Sequence, residues 1–131
     1  EKRNLLQSRY QTTITKRPSK TALKSDKNLR FLNKAIELVH NNLDNSNYDS
    51  GRLAKDLAMS ESQLYRKLRA ITDKSTAIFI RHVRLERAKE LLKSSEKTIA
   101  EVAFETGFND PNWFSKAFKE AFGESPTKFR S

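Results

Sequence analysis

The chain repeats itself. Ala54 and Met59 have counterparts 49 positions later in Ala103 and Phe108, and Leu64 and Leu68 have theirs 50 positions later in Phe114 and Phe118. The step from 49 to 50 puts one extra residue in the second turn. Each copy reads as a short helix, a tight turn and a longer helix, over 50–58 then 61–72 and over 99–106 then 111–122. Such internal similarity constrains a fold more than composition does, and here it specifies helix-turn-helix anatomy twice over.

The rest of the pattern is helical as well. Phe31, Leu32, Ala35, Ile36, Val39 and Leu43 recur at steps of one, three and four, which predicts an amphipathic helix over 26–43. Asp49 or Ser50 caps the next helix, on Leu53, Ala54 and Leu57. Ser60 with Gln63, and Thr98 with Glu101, form capping boxes, in which each side chain satisfies the other residue's free amide. Between the two repeats runs the longest pattern, 76–93, with no internal Gly or Pro. Gly107 and Gly123 read as left-handed stops, Pro111 as a first-turn proline, and Ser125-Pro126 opens a last short turn holding Phe129. Seven helical segments and no alternating strand give an all-α fold, with two helix-turn-helix subdomains joined by a long central helix.

Composition closes off several functions. There is no Cys, and His40 and His82 are the only histidines, so neither a disulfide framework nor a metal site is expected. The two histidines lie on different helices and read as surface or partly packed side chains. No serine has a histidine-and-acid constellation and no glycine-rich phosphate loop exists, which leaves an enzyme reading without residues and implies no cofactor. The longest apolar run, Ala77 to Ile80, is far shorter than a membrane span. Absence of thiols fits the reducing cytoplasm. Glu1 in place of Met points to a piece of a longer chain.

The net charge of +10 is unevenly placed. Residues 1–25 carry +6 and residues 26–131 carry +4. The first stretch is polar, broken by Pro18, and has too little apolar surface to offset ordering, so it reads as a basic linker or as an arm adding phosphate contacts. Residues 26–131 form the domain.

In each repeat the longer helix buries one stripe and leaves a polar face opposite. Leu64, Leu68 and Ile71 turn inward in the first, leaving Ser62, Tyr65, Arg66 and Arg69 outside. In the second, Phe114, Phe118 and Phe122 turn inward and leave Asn112, Ser115, Lys116 and Lys119 outside. A helix that enters a major groove needs such a face, and an Arg fork suits guanine as Asn suits adenine. Wet faces of ordinary amphipathic helices would look the same singly; the repetition argues for reading. Trp113, beside the Phe stripe, reads as packing. Two rivals remain: a basic helical module docking an acidic protein, and a nonspecific nucleoid or RNA binder.

The run from Ile99 to Arg130, IAEVAFETGFNDPNWFSKAFKEAFGESPTKFR, resembles the signature of the AraC/XylS transcription regulators, on Ile99, Val102, Ala103, Gly107, Phe108, Trp113, Phe114, Phe118, Lys119, Gly123, Ser125, Pro126, Phe129 and Arg130. It extends back through SESQLYRKL to about Asp49. The resemblance implies promoter DNA bound in successive major-groove segments, with RNA polymerase as a further partner and dimerisation through a missing upstream sensor or receiver region. It places base reading on Ser62, Tyr65 and Arg66 in the first unit, and on Pro111, Asn112, Ser115 and Lys116 in the second. Asp73 stands where the family has a glycine, so the end of that helix is expected to differ. Pro111 offers no side-chain donor. The 26–43 helix behind a basic linker is also similar to the output end of hybrid two-component regulators. Arg69, Lys119 and Arg130 are the candidate phosphate contacts, with the helix N-termini at Ser60 and Asp110.

Overall fold

Helix starts and stops in this chain are set by short polar side chains. Asp49, Ser60, Ser75, Thr98, Asp110 and Ser125 each accept a hydrogen bond from a main-chain N–H in the first turn they precede, and so fix six helix beginnings. In the computed structural model, which describes residues 20–131, the result is seven helices. They are α1 (Lys20–Asn41), α2 (Ser50–Asp56), α3 (Glu61–Thr72), α4 (Thr76–Ser94), α5 (Ile99–Glu105), α6 (Pro111–Phe122) and α7 (Pro126–Arg130). Both expected capping boxes form, at Ser60 with Gln63 and at Thr98 with Glu101. The first helix starts at Lys20 rather than Asp26. Of the basic segment expected over 1–25, residues 1–19 lie outside the described residues.

Ends are less uniform. Gly123 closes α6 with a left-handed φ of 87°. Asp73 closes α3 the same way, at φ 63°. The expectation that an aspartate there would change the helix end is therefore corrected: Asp enters the left-handed region at modest cost, and the Arg69 guanidinium donates to the Asp73 carbonyl at 3.2 Å.

The central helix α4 organises everything else. Its first half gives Phe79, Ile80 and Val83 to a core shared with Leu32, Val39, Leu53, Leu64 and Leu68. Its second half gives Leu85, Ala88 and Leu92 to another core built on Val102, Phe108, Phe114 and Phe118. Serving two cores on different sides, α4 is buried on several faces, with His82, Arg84 and Glu86 buried alongside its apolar residues. α1 packs on α2 and α4 to complete the first subdomain, and α7 packs on α4 and α6 to complete the second. The second core is a train of aromatic rings, with Phe114 5.2 Å from Phe108, and Phe118 4.7 Å from Phe122 and 5.7 Å from Phe129. These are the tilted and edge-on contacts that phenyl quadrupoles favour.

One polar residue seals the subdomains together, and a second is built into the first core. Arg84, 5% exposed, sends its guanidinium to the carbonyls of Leu43, Asn45 and Tyr48 in the α1–α2 loop and to that of Thr106 after α5. Burial pushes its pKa down, opposed by the Asp44 charge. Tyr48, in a stretch with no hydrophobic periodicity, is nevertheless core: it is 5% exposed and its hydroxyl donates to Asp56 at 2.7 Å. Burial and that carboxylate raise the phenol well above its usual pKa. His82 is also interior, 3.4 Å from Glu86 and with its ring near that of Phe122.

Candidate nucleic-acid interface

The first longer helix, α3, is held by Leu64 and Leu68, both fully buried. With that stripe fixed, 3.6-residue periodicity leaves Ser62, Tyr65, Arg66 and Arg69 outside, and all four are exposed. Tyr65 is 46% exposed, with much of its ring open to solvent. α6 is anchored by Phe114, Ala117 and Phe118. Asn112, Lys116 and Lys119 are exposed, while Pro111 and Ser115 are half-buried.

The relation between the two faces matters more than either alone. A hollow beside α3 is lined by Ser62, Tyr65 and Arg66 together with Ser50, Ser75, Thr76 and Ala77. A second cleft of about 510 Å³ is lined by Asp110 and Trp113 of the second unit and by Arg81 and Arg84 of α4, and again by Ser50 and Ala77. Sharing Ser50 and Ala77, the two hollows adjoin along one side of α4. The polar face of α3 and the beginning of α6 therefore open onto the same side of the molecule.

Three expectations change on inspection. Trp113 is not packing: it is 41% exposed at the lip of the cleft, with the Arg81 guanidinium 5.3 Å from its ring centroid. One residue away from Phe114 means about 100° around the helix, enough to turn Trp113 off the apolar stripe. Arg130 is committed internally. Its Nε donates to the Leu92 carbonyl at 2.9 Å, its Nη1 to that of Lys97, and its Nη2 to that of Ser95 at 3.3 Å. Asp110 is its own helix's anion: the carboxylate accepts from the Asn112 N–H at 2.9 Å and occupies the place a phosphate would take.

The remaining positions are unencumbered to different degrees. Ser60 is exposed, with its Oγ taken by the Gln63 N–H. Arg69 is drawn toward Asp73, with 3.7 Å between guanidinium and carboxylate. Sequence reasoning missed Arg81, because a lone arginine on a helix otherwise full of alternating charge has no periodic signal. Among the described residues no group of three or more His, Asp or Glu could hold a metal ion, and no helix is long and apolar enough to cross a membrane.

Two helix-turn-helix units hung on one central helix, each with an exposed polar face on its longer helix, define a bipartite DNA-reading domain. Comparison with known proteins agrees. Residues 53–131 match the family model described as "Helix-turn-helix domain", and the chain belongs to the AraC-type helix-turn-helix family of DNA-binding transcription regulators. It is 30% identical over 132 residues to "Histidine kinase P4" of Formosa agariphila, a match covering 100% of this chain and 10% of that protein. The C-terminal domain of AraT, a response regulator from Geobacillus stearothermophilus, superposes with a TM-score of 0.68 at 30% identity, covering 76% of this chain and 82% of that one. The DNA-binding domain of AdpA, solved in complex with a target DNA, gives a TM-score of 0.68 at 26% identity over 76% of this chain and 88% of that one. The chain spans 10% to 36% of the length of the curated relatives it matches.

Proposed function

We propose that α3 and α6 enter successive major-groove segments of one promoter duplex, with Ser62, Tyr65 and Arg66 reading bases in the first and Asn112, Ser115 and Lys116 in the second. The observation carrying this reading is the pair of adjoining hollows along α4, one lined by Ser62, Tyr65 and Arg66 of the first reader and the other by Asp110 and Trp113 at the start of the second. Pro111, half-buried and without a donor, contributes apolar contact and the start of α6 rather than hydrogen-bonded readout. Lys119 and Arg69 contact phosphate, as does the α3 N-terminus at Ser60 through its remaining free N–H groups. Arg130 and Asp110 leave that set, since one is spent on main-chain carbonyls and the other carries the wrong charge.

The intact protein, on this reading, regulates transcription in the cytoplasm, where RNA polymerase is its further partner and an upstream region dimerises. Likeness to a response-regulator output domain and to a histidine kinase supports a two-component setting. This segment takes no catalytic part and needs no cofactor.

Selection of bound duplexes from a random pool, followed by titration against salt, tests the proposal. A reader gives a defined asymmetric site whose affinity falls steeply with salt. A basic adapter or nucleoid binder retains all duplexes alike, and that result would sink the reading. Arg66→Ala should lose about 1–3 kcal/mol on the selected site and relax preference at one base pair, whereas Lys119→Ala weakens every sequence equally.

A further inference from the structure

We propose that Arg81, lying against Trp113 at the lip of the cleft between the two readers, binds a phosphodiester of the duplex segment between the two major-groove sites. The inference rests on the bipartite reading above and adds a third contact, from the helix that separates the readers.

The arginines of residues 26–131 fall into three sets. Arg30, Arg69 and Arg87 have carboxylates within 4 Å, at Asp26, Asp73 and Glu90. Arg84 and Arg130 are spent on main-chain carbonyls. Among the described residues, Arg52, Arg66 and Arg81 have neither kind of partner. Arg66 lies on the first reader. Arg81 lies on α4 in register with Ala77 and Arg84, and all three line the cleft, with Arg84 buried and Arg81 half-buried.

The acidic side chains in the same cleft do not claim Arg81. Asp49 accepts from the Arg52 N–H at 3.1 Å and Asp110 from the Asn112 N–H at 2.9 Å, each capping its own helix. What Arg81 does meet is the Trp113 ring, 5.3 Å from guanidinium carbon to centroid. A cation stacked on an exposed ring adds little to folding. It does hold a long side chain in place while leaving the N–H edges of the fork available, which lowers the entropic cost of engaging an anion.

Location selects the anion. With α3 and α6 in successive major-groove segments, the stretch of duplex facing the middle of the protein is the minor groove with its bordering backbones. A cation on α4 between the readers meets phosphate there. Trp113, one residue after Asn112 on the second reader, ties that contact to the docking of α6.

The test uses the 131-residue chain and the duplex it selects from a random pool. Arg81→Ala should weaken the selected and a random duplex by the same factor, about three- to tenfold, and make the slope of log affinity against log salt shallower by about 0.9. The selected sequence should not change. A methylphosphonate at one linkage between the half-sites should cost the wild type that same factor and cost Arg81→Ala nothing. Arg81→Gln, which keeps side-chain volume, should reproduce both results if Arg81→Ala melts early. Trp113 is the single tryptophan, so its emission should shift on binding in the wild type and shift less in Arg81→Gln. An unchanged salt slope, a changed base preference, or indifference to every central methylphosphonate would overturn the assignment while leaving the bipartite reading intact. A wild type with no sequence preference would overturn both.

Discussion

At position 58 the main chain turns left-handed on an alanine, with φ 58°. Its counterpart in the second repeat, 49 positions on, is Gly107 at φ 88°. The two turns thus share a conformation but not a residue type. At Gly107 the glycine is needed twice over, because a Cβ there would come within 2.6 Å of the Leu43 carbonyl oxygen and of the Arg84 guanidinium carbon. Gly107→Ala should therefore lose more than the backbone cost of about 1–2 kcal/mol, as Arg84 is displaced from its carbonyls as well. Ala58→Gly should do the opposite. Relief of the left-handed alanine exceeds the added freedom of the unfolded chain, for a net gain of about 0.5–1 kcal/mol in urea denaturation. Unchanged or reduced stability would show that the turn at Ala58 is not strained. Residue type alone does not show this: glycine advertises a positive φ, whereas Ala58 and Asp73 adopt one without being glycine.

Among the elements, helices were legible in the sequence because caps and periodicity are local. The segment expected over 99–106 is Ile99–Glu105 with Thr106 as its C-cap, and 111–122 is Pro111–Phe122. The surfaces of the readers were legible for the same reason. Once Leu64, Leu68, Phe114 and Phe118 are known to be inside, the outer faces follow by rotation. Commitments across elements were not. Arg130 looked like a phosphate ligand because DNA phosphates and an exposed helix end attract a guanidinium equally well. Here it meets the carbonyls of Leu92, Ser95 and Lys97, at the C-terminus of α4 and the start of the turn after it. A cation at that end also opposes the negative pole of the helix. Arg130→Ala should cost about 2–4 kcal/mol of stability, since hydrogen bonds to a charged group are lost at carbonyls that are already partly buried. The same variant, assayed below its melting temperature, should keep the wild-type salt slope on DNA. A shallower slope with unaltered melting would return Arg130 to the phosphate set.

For the molecule as a whole, spacing decides what DNA shape can be read. The 19 residues of α4 span about 28 Å, less than the roughly 34 Å between successive turns of one groove. Both readers can be seated together only if the duplex bends toward the protein, unless the two subdomains move apart. Arg84 is placed to prevent that movement. Its one guanidinium joins the α1–α2 loop of the first subdomain to the Thr106 carbonyl of the second, close to the turn that leads into α6. A rigid pair of readers makes the DNA supply the bend, which smooth elastic estimates put at about 1–6 kcal/mol for a site of this length and which depends on the flexibility of the intervening sequence. Base pairs that neither reader touches should thereby affect affinity. Energy transfer between dyes on the two ends of the selected duplex should report shortening when the wild type binds. With Arg84→Ala the subdomains are joined by α4 and the close approach of the Leu43 carbonyl to Gly107 but by no guanidinium bridge, so the duplex should bend less and one added base pair between the half-sites should be penalised less. If Arg84→Ala bends DNA as the wild type does and keeps the same spacing preference, α4 and that close approach set the geometry and the guanidinium bridge serves only folding.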